Sequence, residues 1–156
     1  MKYLTAIALA LVTTVSNVYA HCEIPCGIYD DEMRISMLRE NLTTVEKAMK
    51  QIVDLSKGSP VDYNQLVRWT VNKEEHATKI QHIVTQYFMT QRLKPTNSDR
   101  KAYEKKLSLL HEMLFYAMKT KQSTDTSHVE KLSTLIAEFY EAYFGEAEKV
   151  HLEGHH

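Results

Sequence analysis

Both cysteines of the chain fall within ten residues, His21-Cys22-Glu23-Ile24-Pro25-Cys26-Gly27-Ile28-Tyr29-Asp30. Cleavage before His21 would add a free α-amine to the same short run. Amine, imidazole, backbone amide and two thiolates would then lie within six residues. The α-amine has an ordinary pKa of about 7.7–8.0, so a metal can displace its proton near neutrality. The amide nitrogen between His21 and Cys22 lies between that amine and the Cys22 thiol, which gives consecutive chelate rings. Pro25 favours a turn that brings Cys26 back to the same centre.

Two nitrogens and two sulfurs near one plane favour Ni(II) or Cu(II). A closed structural zinc site wants four side chains in a tetrahedron, and the run offers only three. An anionic amide and two thiolates donate charge and stabilise a higher oxidation state. The His21 imidazole could bind axially in the oxidised form and leave in the reduced one. That chemistry is one-electron cycling, not hydrolysis. A Cys22–Cys26 disulfide is the competing reading, because exported proteins with two cysteines commonly pair them. Such a bridge would enclose a tight ring at the extreme N-terminus and add little stability. On spacing alone both readings stand.

The cleavage site rests on residues 1–20. Lys2 supplies a positive start, Leu4 to Val15 is mostly apolar or small, and Val18-Tyr19-Ala20 fits a processing site. The apolar run is short for a membrane span, which needs roughly 20 residues. An uncleaved anchor is the alternative. The expectation is a periplasmic or secreted protein, with no membrane attachment after cleavage. Without Lys2 the chain holds 18 basic and 20 acidic residues, a charge of about −2, which gives no footing for nucleic acid.

The rest of the chain must position the hook. The 156 residues suffice for one core, and four glycines with three prolines argue for long helices. Asp30 and Asp31 can cap a first helix, with a stripe at Ile35, Leu38, Leu42, Val45, Met49, Ile52 and Val53. Lys57-Gly58-Ser59-Pro60 stops it. A second helix spans about Asp62 to Arg92, its stripe interrupted by Lys73. Ser98 is a fair cap for a third helix, carrying Tyr103, Leu107, Leu110, Leu114, Ala117 and Met118. After Ser123-Thr124-Asp125-Thr126, a fourth presents Val129, Leu132, Ile136, Phe139, Tyr140 and Tyr143. The expected fold is all-α: a signal segment 1–20, a hook 21–30, an antiparallel four-helix bundle 31–149, and a polar tail 150–156.

The run from His21 to Asp30 resembles the nickel hook of nickel-containing superoxide dismutases, whose signature is His-Cys-x-x-Pro-Cys-Gly-x-Tyr. Arg68-Trp69-Thr70-Val71-Asn72-Lys73-Glu74-Glu75-His76-Ala77 resembles that family's second helix, and Tyr87-Phe88 its aromatic pair. The resemblance implies superoxide disproportionation to dioxygen and hydrogen peroxide by Ni(III)/Ni(II) cycling, with one nickel per chain. It implies thiolates from Cys22 and Cys26, a backbone nitrogen from Cys22, amine and imidazole from His21, and Tyr29 beside the open face. It also implies a homo-oligomer, a hexamer of bundles. Met89 stands where the family often has a basic residue, with Arg92 and Lys94 slightly later. His76 stands where an arginine supports the axial histidine, and Met37 or Glu40 near that arginine's glutamate partner.

His76, His82, His111 and His128 lie on the expected helices and share no ligand spacing. Glu148…His151 and Glu153…His156 lie near the tail and do not form the inward-facing pair of a di-iron bundle. Two other function classes compete with the enzyme: an exported nickel or copper carrier without turnover, and a structural bundle with an incidental disulfide.

Overall fold

A computed structural model describes residues 30–153, and side chains for 30–145. The signal segment and the hook residues His21, Cys22, Cys26 and Tyr29 lie outside the described residues. Four long helices make up the described chain: α1 (Asp31–Ser56), α2 (Tyr63–His82), α3 (Arg100–Gln122) and α4 (Ser127–Glu153). A π-helical segment, Ile83–Arg92, extends α2 without a break. The backbone of α4 runs into the stretch expected as tail. Short connectors make sequential helices antiparallel neighbours, and α1 also packs on α4, which closes a four-helix bundle.

The apolar stripes become the core. Ile35, Leu38, Leu42, Val45 and Met49 of α1 are buried against Ala77, Ile80, Val84 and Phe88. Leu110, Met113 and Ala117 of α3 meet Leu132, Leu135, Ile136 and Phe139 of α4. Each such side chain contributes about 1.5–3 kcal/mol by leaving water. Leu109, Met113 and Leu135 widen the expected stripes, whereas Ile52 and Val53 at the end of α1 are only half-buried.

Three polar details differ from the sequence expectation. The cap of α3 is Asp99, not Ser98: its carboxylate accepts from the Ala102 N–H at 3.0 Å. Asp30 flanks α1 but makes no side-chain cap bond, and the Asp31 carboxylate is directed elsewhere. Lys73 is an anchor and not a flaw in the stripe. Its side chain is only 5% exposed, and its ammonium donates to the carbonyls of Thr120 (2.9 Å), Lys121 and Ser123 (3.3 Å). Those acceptors are the unpaired carbonyls at the end of α3, where a cation also meets the negative end of the helix dipole. Glu74, 3.3 Å away, balances the charge.

Candidate metal centre

The first helix begins at Asp31, two residues after Tyr29 in the chain, and the contacts of Asp31 define the seat of that helix end. Burial alone would raise the pKa of this carboxyl. Hydrogen bonds from Tyr87, Tyr143 and Arg92, with the Arg92 charge, outweigh it and hold the group below its ordinary value. The Asp31 Oδ1 accepts from the Tyr87 hydroxyl and from Arg92 Nε at 2.8 Å, and Arg92 Nη2 lies 2.7 Å away. Oδ2 accepts from the Tyr143 hydroxyl at 2.7 Å. Arg92 also donates to the Tyr87 oxygen, from Nη2 at 3.0 Å and from Nε at 3.2 Å. Next to it, Glu32 accepts from the Tyr140 hydroxyl at 3.1 Å. Two carboxylates in the first turn of α1 therefore hold two tyrosines three residues apart on α4.

The π segment makes this convergence possible. In an α-helix, residues five apart are separated by about 140° around the axis, so Tyr87 and Arg92 could not meet one carboxylate. Within Ile83–Arg92 the backbone bonds reach five residues back, and Leu93 N–H donates to Phe88 O at 2.8 Å. Side chains reinforce the wide turns: Thr90 donates to Thr85 O (2.7 Å) and Gln91 to Gln86 O (3.0 Å). π-Helical segments are rare and are frequent at functional sites. Here the segment turns both polar groups toward the first turn of α1.

Aromatic packing stiffens the same end. Two guanidinium groups approach the Tyr87 ring, Arg34 at 4.6 Å and Arg92 at 5.1 Å from its centroid. Phe88 meets Tyr87, Phe139 and Tyr143 edge-on, with ring centroids 5.0–5.7 Å apart. A cleft of about 240 Å³ opens beside Tyr143, lined by Arg92, Lys94, Asp99, Tyr103 and Lys106 among others.

The second region flagged by sequence, around His76, lies apart from this seat. His76 Nδ1 is 2.8 Å from the Asn41 Oδ1, and Asn41 Nδ2 donates to Met37 O at 2.7 Å. Asn41 follows Asp31 by ten residues, about 15 Å along α1. Burial, then the charge of Lys79, lowers the His76 pKa. The partner of His76 is thus Asn41, a buried amide in the apolar stripe of α1 that sequence reasoning passed over in favour of Met37 and Glu40. Among the described residues, no three His, Cys, Asp or Glu side chains converge as a metal site. Among them, too, no helix is long and apolar enough to cross a membrane.

The donor set at His21, Cys22 and Cys26 is chemically suited to nickel, being rich in anionic sulfur and nitrogen. A family model described as nickel-containing superoxide dismutase matches residues 16–147, most of the chain. No curated protein and no solved structure matches it.

Proposed function

The chain belongs to the nickel-containing superoxide dismutase family, and from that premise we propose how its own residues carry out the reaction. The protein is an oxidoreductase that removes superoxide, with nickel as cofactor. Bound nickel would supply a one-electron Ni(III)/Ni(II) couple, so that two superoxide anions and two protons become dioxygen and hydrogen peroxide.

The residues that would hold it are His21, through amine and imidazole, Cys22, through thiolate and backbone nitrogen, and Cys26, through thiolate. Tyr29, three residues after Cys26, would orient or screen small anions with a hydroxyl on a rigid ring. Lys94 and Lys106, opposed by Asp99, leave the cleft beside Tyr143 a positive excess that would draw an anion toward this end of the bundle. The observation that carries the reading is the run His21–Tyr29: all proposed ligands fall within six residues, directly behind the expected processing site, in a chain matched by this family.

The assembly proposed is a homo-oligomer, a hexamer, exported to the periplasm or beyond the cell. Large apolar side chains exposed on α2 support association: Tyr63 (72% exposed), Val67 (60%) and Val71 (58%) follow at four-residue steps along one face. Residues 1–20 support export.

The test is superoxide decay after pulse radiolysis, with protein that begins at His21 and carries one nickel per chain. Fast decay that disappears on nickel removal supports the reading. Tight nickel binding without decay would reassign the chain as a carrier.

A further inference from the structure

We infer that Asp31 and Arg92 are a positioning pair which fixes the root of the hook and thereby tunes the metal site, an inference that rests on the ligand reading above. Cys26 precedes Asp31 by five residues, so at most about 18 Å of chain separates the last proposed ligand from this fixed point. Asp31 cannot turn without breaking bonds to three side chains on two other elements. Its two oxygens face opposite directions, one toward Arg92 and Tyr87 of the π segment, the other toward Tyr143 of α4. The first residue of α1 is therefore fixed both in place and in rotation about the chain.

The pair is protected without being sealed. The side chain of Asp31 is 18% exposed and that of Arg92 33%, so salt screens the bond only in part. The planar guanidinium approaches Oδ1 through two nitrogens and the Tyr87 oxygen through the same two. A lysine could place a charge there but not this fork. Tyr87, held by both partners, has its hydroxyl oriented by them. Burial, then the bond to Asp31, raises its pKa and keeps it protonated.

A pair that only stabilised the bundle would leave the metal's properties alone. One that positions the hook must alter them. The experiment compares protein starting at His21 with its Asp31→Asn, Arg92→Gln and Arg92→Lys variants, using nickel alone as the probe. Lys73→Met serves as a control, because Lys73 touches none of these groups. Circular dichroism and thermal melting check folding. Competition with a chelator gives nickel affinity, and electron paramagnetic resonance of the oxidised protein gives the electronic signature of the centre.

The expected result is a loss of roughly ten-fold or more in nickel affinity for Asp31→Asn and Arg92→Gln, as for outer residues that orient metal ligands. Their resonance spectra should shift or broaden, and Arg92→Lys should recover only part of the loss. Lys73→Met should melt earlier with an unchanged spectrum. Wild-type affinity and spectrum in folded Asp31→Asn and Arg92→Gln would overturn the inference while leaving the enzyme reading intact. Absence of nickel binding by the parent protein would overturn both.

Discussion

The Nδ1 of His76 lies 2.8 Å from the Oδ1 of Asn41, and this single contact fixes the state of both side chains. Asn41 Nδ2 already donates to Met37 O, so its oxygen is the atom turned toward α2. That oxygen can only accept, and His76 Nδ1 must carry the hydrogen. The neutral ring then keeps its lone pair on Nε2. Asn41→Asp should raise the His76 pKa by roughly one unit or more, since an opposite charge at this range favours imidazolium. Nitrogen NMR across a pH series reads both the tautomer and the shift, and a ring protonated at Nε2 in the parent would refute the assignment.

Lys73 gives a prediction for stability alone. Lys73→Met keeps much of the stem but leaves the final carbonyls of α3 without their cation. Loss of charged hydrogen bonds from a buried site costs about 1.5–3 kcal/mol. The urea midpoint should fall accordingly, while nickel content per folded chain stays the same. A midpoint equal to that of the parent would mean that the carbonyls find other donors.

For the hook, the ligand set demands a free amine at His21. One extra residue before His21 converts that amine to an amide and should abolish superoxide turnover, as measured by pulse radiolysis. Full turnover by the extended chain would refute this set of ligands.

Cys22→Ser and Cys26→Ser should each end turnover with helical content almost unchanged. The described core is built from side chains of the four helices and the π segment. A large drop in helical circular dichroism would make the hook a folding element instead.

The seat of α1 should lose stability toward both acid and alkali, through different groups. The folded Asp31 carboxyl sits below its ordinary 3.8, so its contribution is present above that value and is lost as pH falls through the folded pKa. For Tyr143, burial and then Asp31 raise the hydroxyl above its ordinary 10.0. Its contribution is complete below pH 10.0 and is lost as pH rises through the raised value. Tyr143→Phe should flatten the alkaline limb of a stability-against-pH curve and also weaken the acid limb, since it removes one of the bonds that hold Asp31 low and leaves those from Tyr87 and Arg92. An unchanged alkaline limb would show that this hydroxyl does not set it.

Much of this was legible in the sequence, for specific reasons. The stripes Ile35-Leu38-Leu42-Val45-Met49 and Val129-Leu132-Ile136-Phe139 repeat at helical spacing, and periodicity is the strongest local signal a sequence carries. The proposed hook is a reading of sequence alone, since ligand types packed into adjacent positions need no tertiary structure to be seen together, and it lies outside the described residues. Lys73 and Asn41 were not legible, since their roles depend on which carbonyl or ring another helix brings alongside. The Asp31–Arg92 pair was hidden for a different reason. An α-helical reading of Ile83–Arg92 points Tyr87 and Arg92 in different directions, and only the π backbone aligns them.

The distances along the chain over which Asp31 finds its partners carry a consequence for biosynthesis. Tyr87, Arg92 and Tyr143 follow it by 56, 61 and 112 residues, so they are made long after it. While the ribosome is still extending the chain, Asp31 lacks these partners. Its footing is completed only when the last helix docks. The first turn of α1 is therefore among the last parts of the bundle to be fixed, and a chain cut short before Tyr143 leaves Asp31 without its α4 partner.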